Sequence, residues 1–170
     1  MVKPETGQAN FEEKTIRSGE WGMSGEWRVA SGEWGEVLGD ARINSYRDLR
    51  VWQEAMAVAS ACYVLTRAFP KEEIYGMTAQ IRRAAVSIAA NVAEGHGRES
   101  TGSFVQFLRV SQGSLKELET HLLLAGQVQV TEPSTVEPIL IRCESLGRML
   151  RRLIRSLQEK SVGSDEEAGS

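Results

Sequence analysis

The chain has 170 residues, 41% hydrophobic and 25% charged, with a formal net charge of −3, which is enough for one domain with a single buried core plus extra segments. No run approaches the roughly 20 apolar residues of a membrane span, and the N-terminus lacks the basic-then-apolar order of a secretion signal, so a cytoplasmic protein without membrane contact is expected. Cys62 and Cys143 lie far apart without CxxC spacing and fit a reducing compartment, where they serve as small buried hydrophobes.

The charge is unevenly spread. Tyr46 to Lys160 carries 15 Lys/Arg against 12 Asp/Glu, the residues before it 5 against 8, and the tail after it 0 against 3. A mildly basic central part is therefore flanked by acidic ends, a balance that does not by itself specify a nucleic-acid partner.

Residues 1–44 read as a low-complexity leader. Ser18-Gly19-Glu20-Trp21 recurs as Ser24-Gly25-Glu26-Trp27 and again as Ser31-Gly32-Glu33-Trp34. Repeats rich in Gly, Ser and Glu bury too little apolar surface to offset their ordering entropy, so the leader is expected to be disordered and unnecessary for folding, the alternative being that its tryptophans form a stacking or partner-docking array. Met23 is a candidate in-frame alternative start.

Order is expected over 45–160, as an all-α, antiparallel up-down-up-down four-helix bundle. Asn44 or Ser45 caps the first helix, in which Leu49, Met56 and Tyr63, followed at three places by Trp52, Ala59 and Thr66, form one stripe and Val51, Ala55, Val58, Cys62, Leu65 and Phe69 a second, adjacent one. Pro70 ends it. The second helix, Lys71 to Ala93, organises the chain. Ile74, Ile81 and Ile88 recur every seven residues, with Thr78, Ala85 and Val92 four places behind each. Gly95 stands where a left-handed C-cap is expected. Ser100 or Thr101 then caps a third helix carrying Phe104, Ser111, Leu118 and Ala125 beside Leu108, Leu115 and Leu122, and the mid-helix pair Gly113-Ser114 suggests close passage of a neighbour. Ser134 to Glu137 reads as a capping box, with Pro138 in the tolerant first turn of a fourth helix that carries Ile139, Leu146 and Leu153 beside Cys143, Leu150 and Leu157. The expected core is Ile81, Ile88, Leu108, Leu115, Leu118, Leu146, Leu150 and Leu153. Residues 161–170 read as a disordered acidic tail.

Little catalytic chemistry can be assembled. The only histidines are His96 and His121, and Glu117 precedes His121 by four places rather than the three of an inward Glu-x-x-His pair, so no di-iron site, and no other metal or cofactor, is expected. There is no phosphate-cradling glycine loop and no plausible Ser-His-Asp set, which points away from an enzyme. Two polar groupings remain. Gln80, Ser87, Asn91 and Glu94 share one face of the second helix, either as a ligand-reading strip or as a hydrogen-bond ladder that fixes helix register. Arg82, Arg83, Arg98, Arg109, Arg151, Arg152 and Arg155 are candidate phosphate contacts, since guanidinium forks suit phosphate. They equally suit surface pairs with Glu72, Glu73, Glu117 and Glu144. The apolar arcs of the first two helices exceed what one small bundle needs, so a homo-oligomer is expected.

One ordered series of motifs carries a family likeness: Tyr46-Arg47-Asp48-Leu49, Val51-Trp52, Phe69-Pro70, Ile74-Tyr75-Gly76, Gln80 through Ile88, Asn91 to Gly95, Arg98, Phe107-Leu108, Gly113-Ser114 and Glu117 to Thr120. Over about Ser45 to Leu157 the chain resembles the bacterial four-helix-bundle proteins encoded in 23S rRNA intervening sequences. That family is in turn similar to the accessory variability determinant of diversity-generating retroelements, a pentameric ring that binds nucleic acid and a reverse transcriptase. The resemblance implies a ring-shaped homo-oligomer, a pentamer, that binds structured RNA or an RNA–DNA hybrid and meets a reverse transcriptase. The competing expectation is an assembly or adaptor module with no nucleic-acid role. Two departures stand out. Ala89 replaces a usual proline, which removes the reason for a kink in the second helix, and Val128-Gln129-Val130 replaces a usual Leu-Gly-Tyr.

Overall fold

The computed structural model describes residues 45–98 and 100–167, with side chains as far as Glu159. The leader expected over 1–44 and the last residues of the tail lie outside the described residues. All regular structure among the described residues is helical, with four α-helices and no strand.

Ser45 is the first described residue. Its hydroxyl accepts the Arg47 N–H at 3.2 Å and its own N–H donates to the Asp48 carboxylate at 3.0 Å, a reciprocal cap around a 3₁₀ turn, Tyr46–Asp48. Leu49 is extended (φ −72°, ψ 118°) and separates that turn from α1, Arg50–Leu65. The first helix is thus two pieces rather than the single run expected, and it stops at Thr66, short of Phe69-Pro70. Its core is the series Val51, Ala55, Val58, Ala59 and Cys62. The other stripe is split: Met56 and Tyr63 are each 42% exposed, while Leu49, Ala59 and Thr66 are buried. Both series are apolar, so periodicity offers two candidate core faces, and only packing against α2 and α4 selects between them.

The expected start of the second helix at Lys71 also shifts. Lys71–Ile74 is a 3₁₀ turn, Gly76 breaks the backbone (φ −93°, ψ −118°), and α2 runs Met77–His96. The Glu73 carboxylate accepts the Met77 N–H at 2.9 Å and so satisfies one donor of the new first turn. Ile74, cut off from α2, is exposed, while Thr78, Ile81, Ala85, Ile88 and Val92 are buried. Buried Ala89 continues the helix without interruption.

Gly95 is not a left-handed cap. It lies inside α2 and is buried, and α2 ends on Gly97 in the right-handed region (φ −74°). Its smallness serves another purpose: a Cβ there would fall 2.6 Å from Phe107 Cβ and 2.9 Å from Phe104 Cδ2 on α3, Thr101–Gln127. Ser100 caps α3 by accepting the Ser103 N–H at 3.2 Å. Gly113 is exposed with open space around it, so close passage does not explain it; its neighbour Ser114 is the buried member of the pair.

The left-handed residue sits at the other end of α3. Gln129 has φ 60°, with the Val130 N–H bonded to the Ala125 carbonyl at 3.0 Å and the Gln129 N–H to Gly126 at 3.3 Å. This is a Schellman turn with glutamine where glycine is normal. The final helix, α4, runs Pro133–Glu167. It begins before the expected box at Ser134, because Pro133 carries the helical φ that suits a first position. Thr135 turns back to bond the Glu132 carbonyl at 2.6 Å instead. Pro138 therefore falls in the second turn, where it cannot donate to Ser134. The helix also continues into the acidic segment assigned to the tail, since propagating a formed helix adds a bond for each residue fixed.

The core is continuous: α1 packs on α2 and α4, α2 on α3, and α3 on α4. Seven of the eight expected core residues are fully buried; Leu153 packs against the core while half-covered. Burial pushes the Cys62 and Cys143 thiols up to about 12, so both are neutral packing groups.

Candidate nucleic-acid interface

The seven arginines and the four polar residues of α2 meet in ways that spacing alone does not reveal. Arg82 is committed to joining α1 and α2. Its Nε donates to Thr66 Oγ1 at 2.8 Å and its guanidinium lies 4.8 Å over the Tyr63 ring, while Thr66 Oγ1 donates to the Cys62 carbonyl at 2.8 Å. Arg83 is exposed and donates to Gln80 Oε1. Arg98 bonds the Glu94 carboxylate at 2.6 Å and lies 5.1 Å over the Phe107 ring. Two members of the polar strip thus act as acceptors for two of the arginines.

The rest of the strip makes a seam between helices. Ser87 Oγ and Ser114 Oγ are 2.9 Å apart, Asn91 Nδ2 donates to the Ser87 carbonyl and Oγ at 2.8 and 3.1 Å, and Ser111 Oγ donates to the Ile88 carbonyl at 3.1 Å. No buried side-chain nitrogen or oxygen among the described residues lacks a partner. The sequence placed Ser111 on a heptad series and Ser114 beside a close neighbour, but which groups of α2 they bond was not legible, because spacing along α3 does not set its register against α2.

The remaining arginines flank α3 and α4. On α3, Lys116 and Glu119 pair at 2.6 Å, and both exert charge effects on Cys143 of α4, so this flank faces α4. Arg109 lies seven residues before Lys116 on the same flank and is exposed. On α4, a Cβ at Gly147 would sit 3.4 Å from Leu115 of α3 and 3.5 Å from Arg151 Nη1, which places Arg151 over the α3–α4 seam. Arg155 is one turn further along, and Arg151, Arg152 and Arg155 are all exposed. Among the described residues, Arg109, Arg151 and Arg155 form no ion pair, whereas Arg148 pairs with Glu144 at 2.6 Å.

Other expected acid partners are engaged elsewhere. Glu73 caps α2, and Glu117 lies 3.6 Å from His121. One pair was missed altogether: Arg142 of α4 grips both carboxylate oxygens of Glu54 on α1, at 2.8 and 3.3 Å, and these bonds raise the Arg142 pKa. Eighty-eight residues separate them, so no local spacing could have suggested the contact. Among the described residues no cluster of three or more His, Cys, Asp or Glu could hold a metal ion, and no helix is long and apolar enough to cross a membrane.

Among the described residues these features define an all-α protein of four α-helices with exposed arginines along α3 and α4. The chain belongs to the 23S rRNA-intervening sequence protein family, whose model matches residues 47–152. The fold is similar to that of a solved protein of unknown function from the S23 ribosomal protein family of Bacteroides thetaiotaomicron. That structure aligns with a TM-score of 0.57 at 22% identity, over 61% of this chain and 97% of the other. No curated protein sequence matches the chain.

Proposed function

We propose that the protein is a non-enzymatic, homo-oligomeric accessory factor that binds nucleic acid through its α3–α4 flank. The observation that carries this is the set of exposed arginines without an acidic partner among the described residues, Arg109, Arg151 and Arg155. The helices are read as an up-down-up-down antiparallel bundle, which the paired contacts support: Ser87 with Ser114 and Gly95 with Phe104 and Phe107 between α2 and α3, Gly126 with Pro133 and Leu115 with Gly147 between α3 and α4. In that register Arg109 comes level with the stretch between Arg151 and Arg155, so three guanidinium groups converge on one seam. Unpaired guanidinium groups at a seam suit phosphate oxygens, and structured RNA or an RNA–DNA hybrid is the ligand in this reading. A pentameric ring and a reverse-transcriptase partner belong to the same reading through the family likeness alone.

The competing reading is a protein adaptor. Arg82, Arg83 and Arg98, each already held by a neighbour, favour it. Titrating a labelled structured RNA at several salt concentrations separates the two. Three phosphate contacts predict a log–log slope of about −2 to −3 per chain, and an Arg109→Ala/Arg151→Ala/Arg155→Ala variant loses most of the affinity. Binding without a salt slope, or a variant that binds like the parent, selects the adaptor.

A further inference from the structure

The basic flank is short, and its boundaries are visible. Towards the start of α4, Arg148 is neutralised by Glu144, and across the seam Lys116 is neutralised by Glu119. Towards the end of α4 the exposed Glu159 follows Arg155 by one turn. Between these limits Arg151 and Arg155 are about 6 Å apart along the helix, with Arg109 opposite. Among the described residues no exposed aromatic ring accompanies them on which a base could stack: Phe104 and Phe107 pack towards Gly95, and the exposed rings Tyr63 and Tyr75 belong to α1 and the α1–α2 link.

Resting on the phosphate-contact reading of this seam, we infer that one chain grips only about three phosphates, and that the natural ligand is a nucleic acid long enough to be held by several copies at once. Three contacts without base stacking give a weak grip that salt easily removes. Linking identical weak sites on one ligand converts the second and later contacts into intramolecular events, which raises the overall affinity by about 10²–10⁴ without any new contact. The partner is therefore selected by length and continuity rather than by a single tight site.

The test uses the full chain and duplex RNAs from about 8 to about 60 base pairs, each titrated at several salt concentrations. The expected result is a shallow slope of about −2 to −3 for the shortest duplex, steepening in multiples as length grows, with affinity rising well beyond the number of added sites. A shortest duplex that binds as tightly per site as the longest, or that already shows the full slope, overturns the inference while leaving the phosphate reading intact. Failure to bind at any length, or an Arg109→Ala/Arg151→Ala/Arg155→Ala variant of unchanged helicity that binds every length like the parent, overturns the phosphate reading itself.

Discussion

Gly95 and Gly113 both lie inside helices, yet they do opposite things. Gly95 admits Phe104 and Phe107 to the α2 backbone, so Gly95→Ala meets atoms at 2.6 and 2.9 Å and overpacks the α2–α3 contact. Its expected cost is about 1–3 kcal/mol. Gly113 meets nothing within 4 Å, and Gly113→Ala should stabilise by about 1 kcal/mol through helix propensity. Urea denaturation of the two variants checks both signs at once. The cysteines make a second demand at this scale. Each thiol is held at about 12 by burial, against an ordinary value of 9.0, so the unfolded chain loses these protons at a lower pH than the native one. Their contribution is intact below pH 9 and is lost as pH rises towards 12. Stability should therefore fall over that window, and fall less in a Cys62→Ala/Cys143→Ala variant compared by chemical denaturation at each pH.

Element boundaries were decided by side chains reaching back to the backbone. Glu73 moves the start of α2 to Met77, Ser45 and Asp48 close a separate turn before α1, and Pro133 advances α4. The turn between α3 and α4 is the least comfortable of these, because Gln129 holds φ 60° in a position suited to glycine. A non-glycine residue there costs about 1–2 kcal/mol, so Gln129→Gly should raise stability by about 1 kcal/mol once the added freedom of the unfolded chain is subtracted. A thermal melt that moves down instead would show that the glutamine side chain supports the turn. The Val128-Gln129-Val130 departure from Leu-Gly-Tyr, visible in the sequence as an oddity, thereby acquires a conformational meaning.

At the scale of the molecule, the surface left over by folding matters most. Met56 and Tyr63 on α1 and Val86 on α2 stay open although each continues an apolar pattern, and Ile74 and Tyr75 are 53% and 92% exposed in the link between those helices. Exposed apolar side chains lie on the other helices too, at Val110, Leu123 and Leu124 on α3 and Ile141 on α4, and the α1–α2 set is the one that continues the apolar arcs from which a contact between copies is expected. Light scattering at micromolar concentration should return a multiple of 18.8 kDa, and a Met56→Glu/Tyr63→Glu variant should shift the mass downwards. A monomeric parent would remove the oligomer, and with it the avidity on which long-ligand selection depends.

Much of this protein was determined by its sequence alone. The heptad series placed Ile81, Ile88, Leu108, Leu115, Leu118, Leu146 and Leu150 in the core, because a 3.6-residue helix leaves few ways to cover leucines and isoleucines spaced by threes and fours. The ordered motifs from Arg47 onward identified the family for the same reason, being contiguous and local. The tertiary structure alone decided which of two apolar stripes on α1 faces inward, that Gly95 serves packing rather than turning, and that Arg142 answers Glu54 across the molecule. It also divided the arginines, committing Arg82 to Thr66 and Tyr63, while Arg109, Arg151 and Arg155 form no ion pair among the described residues. Those outcomes depend on which helices become neighbours, and spacing along one helix carries no information about the charge or shape of another.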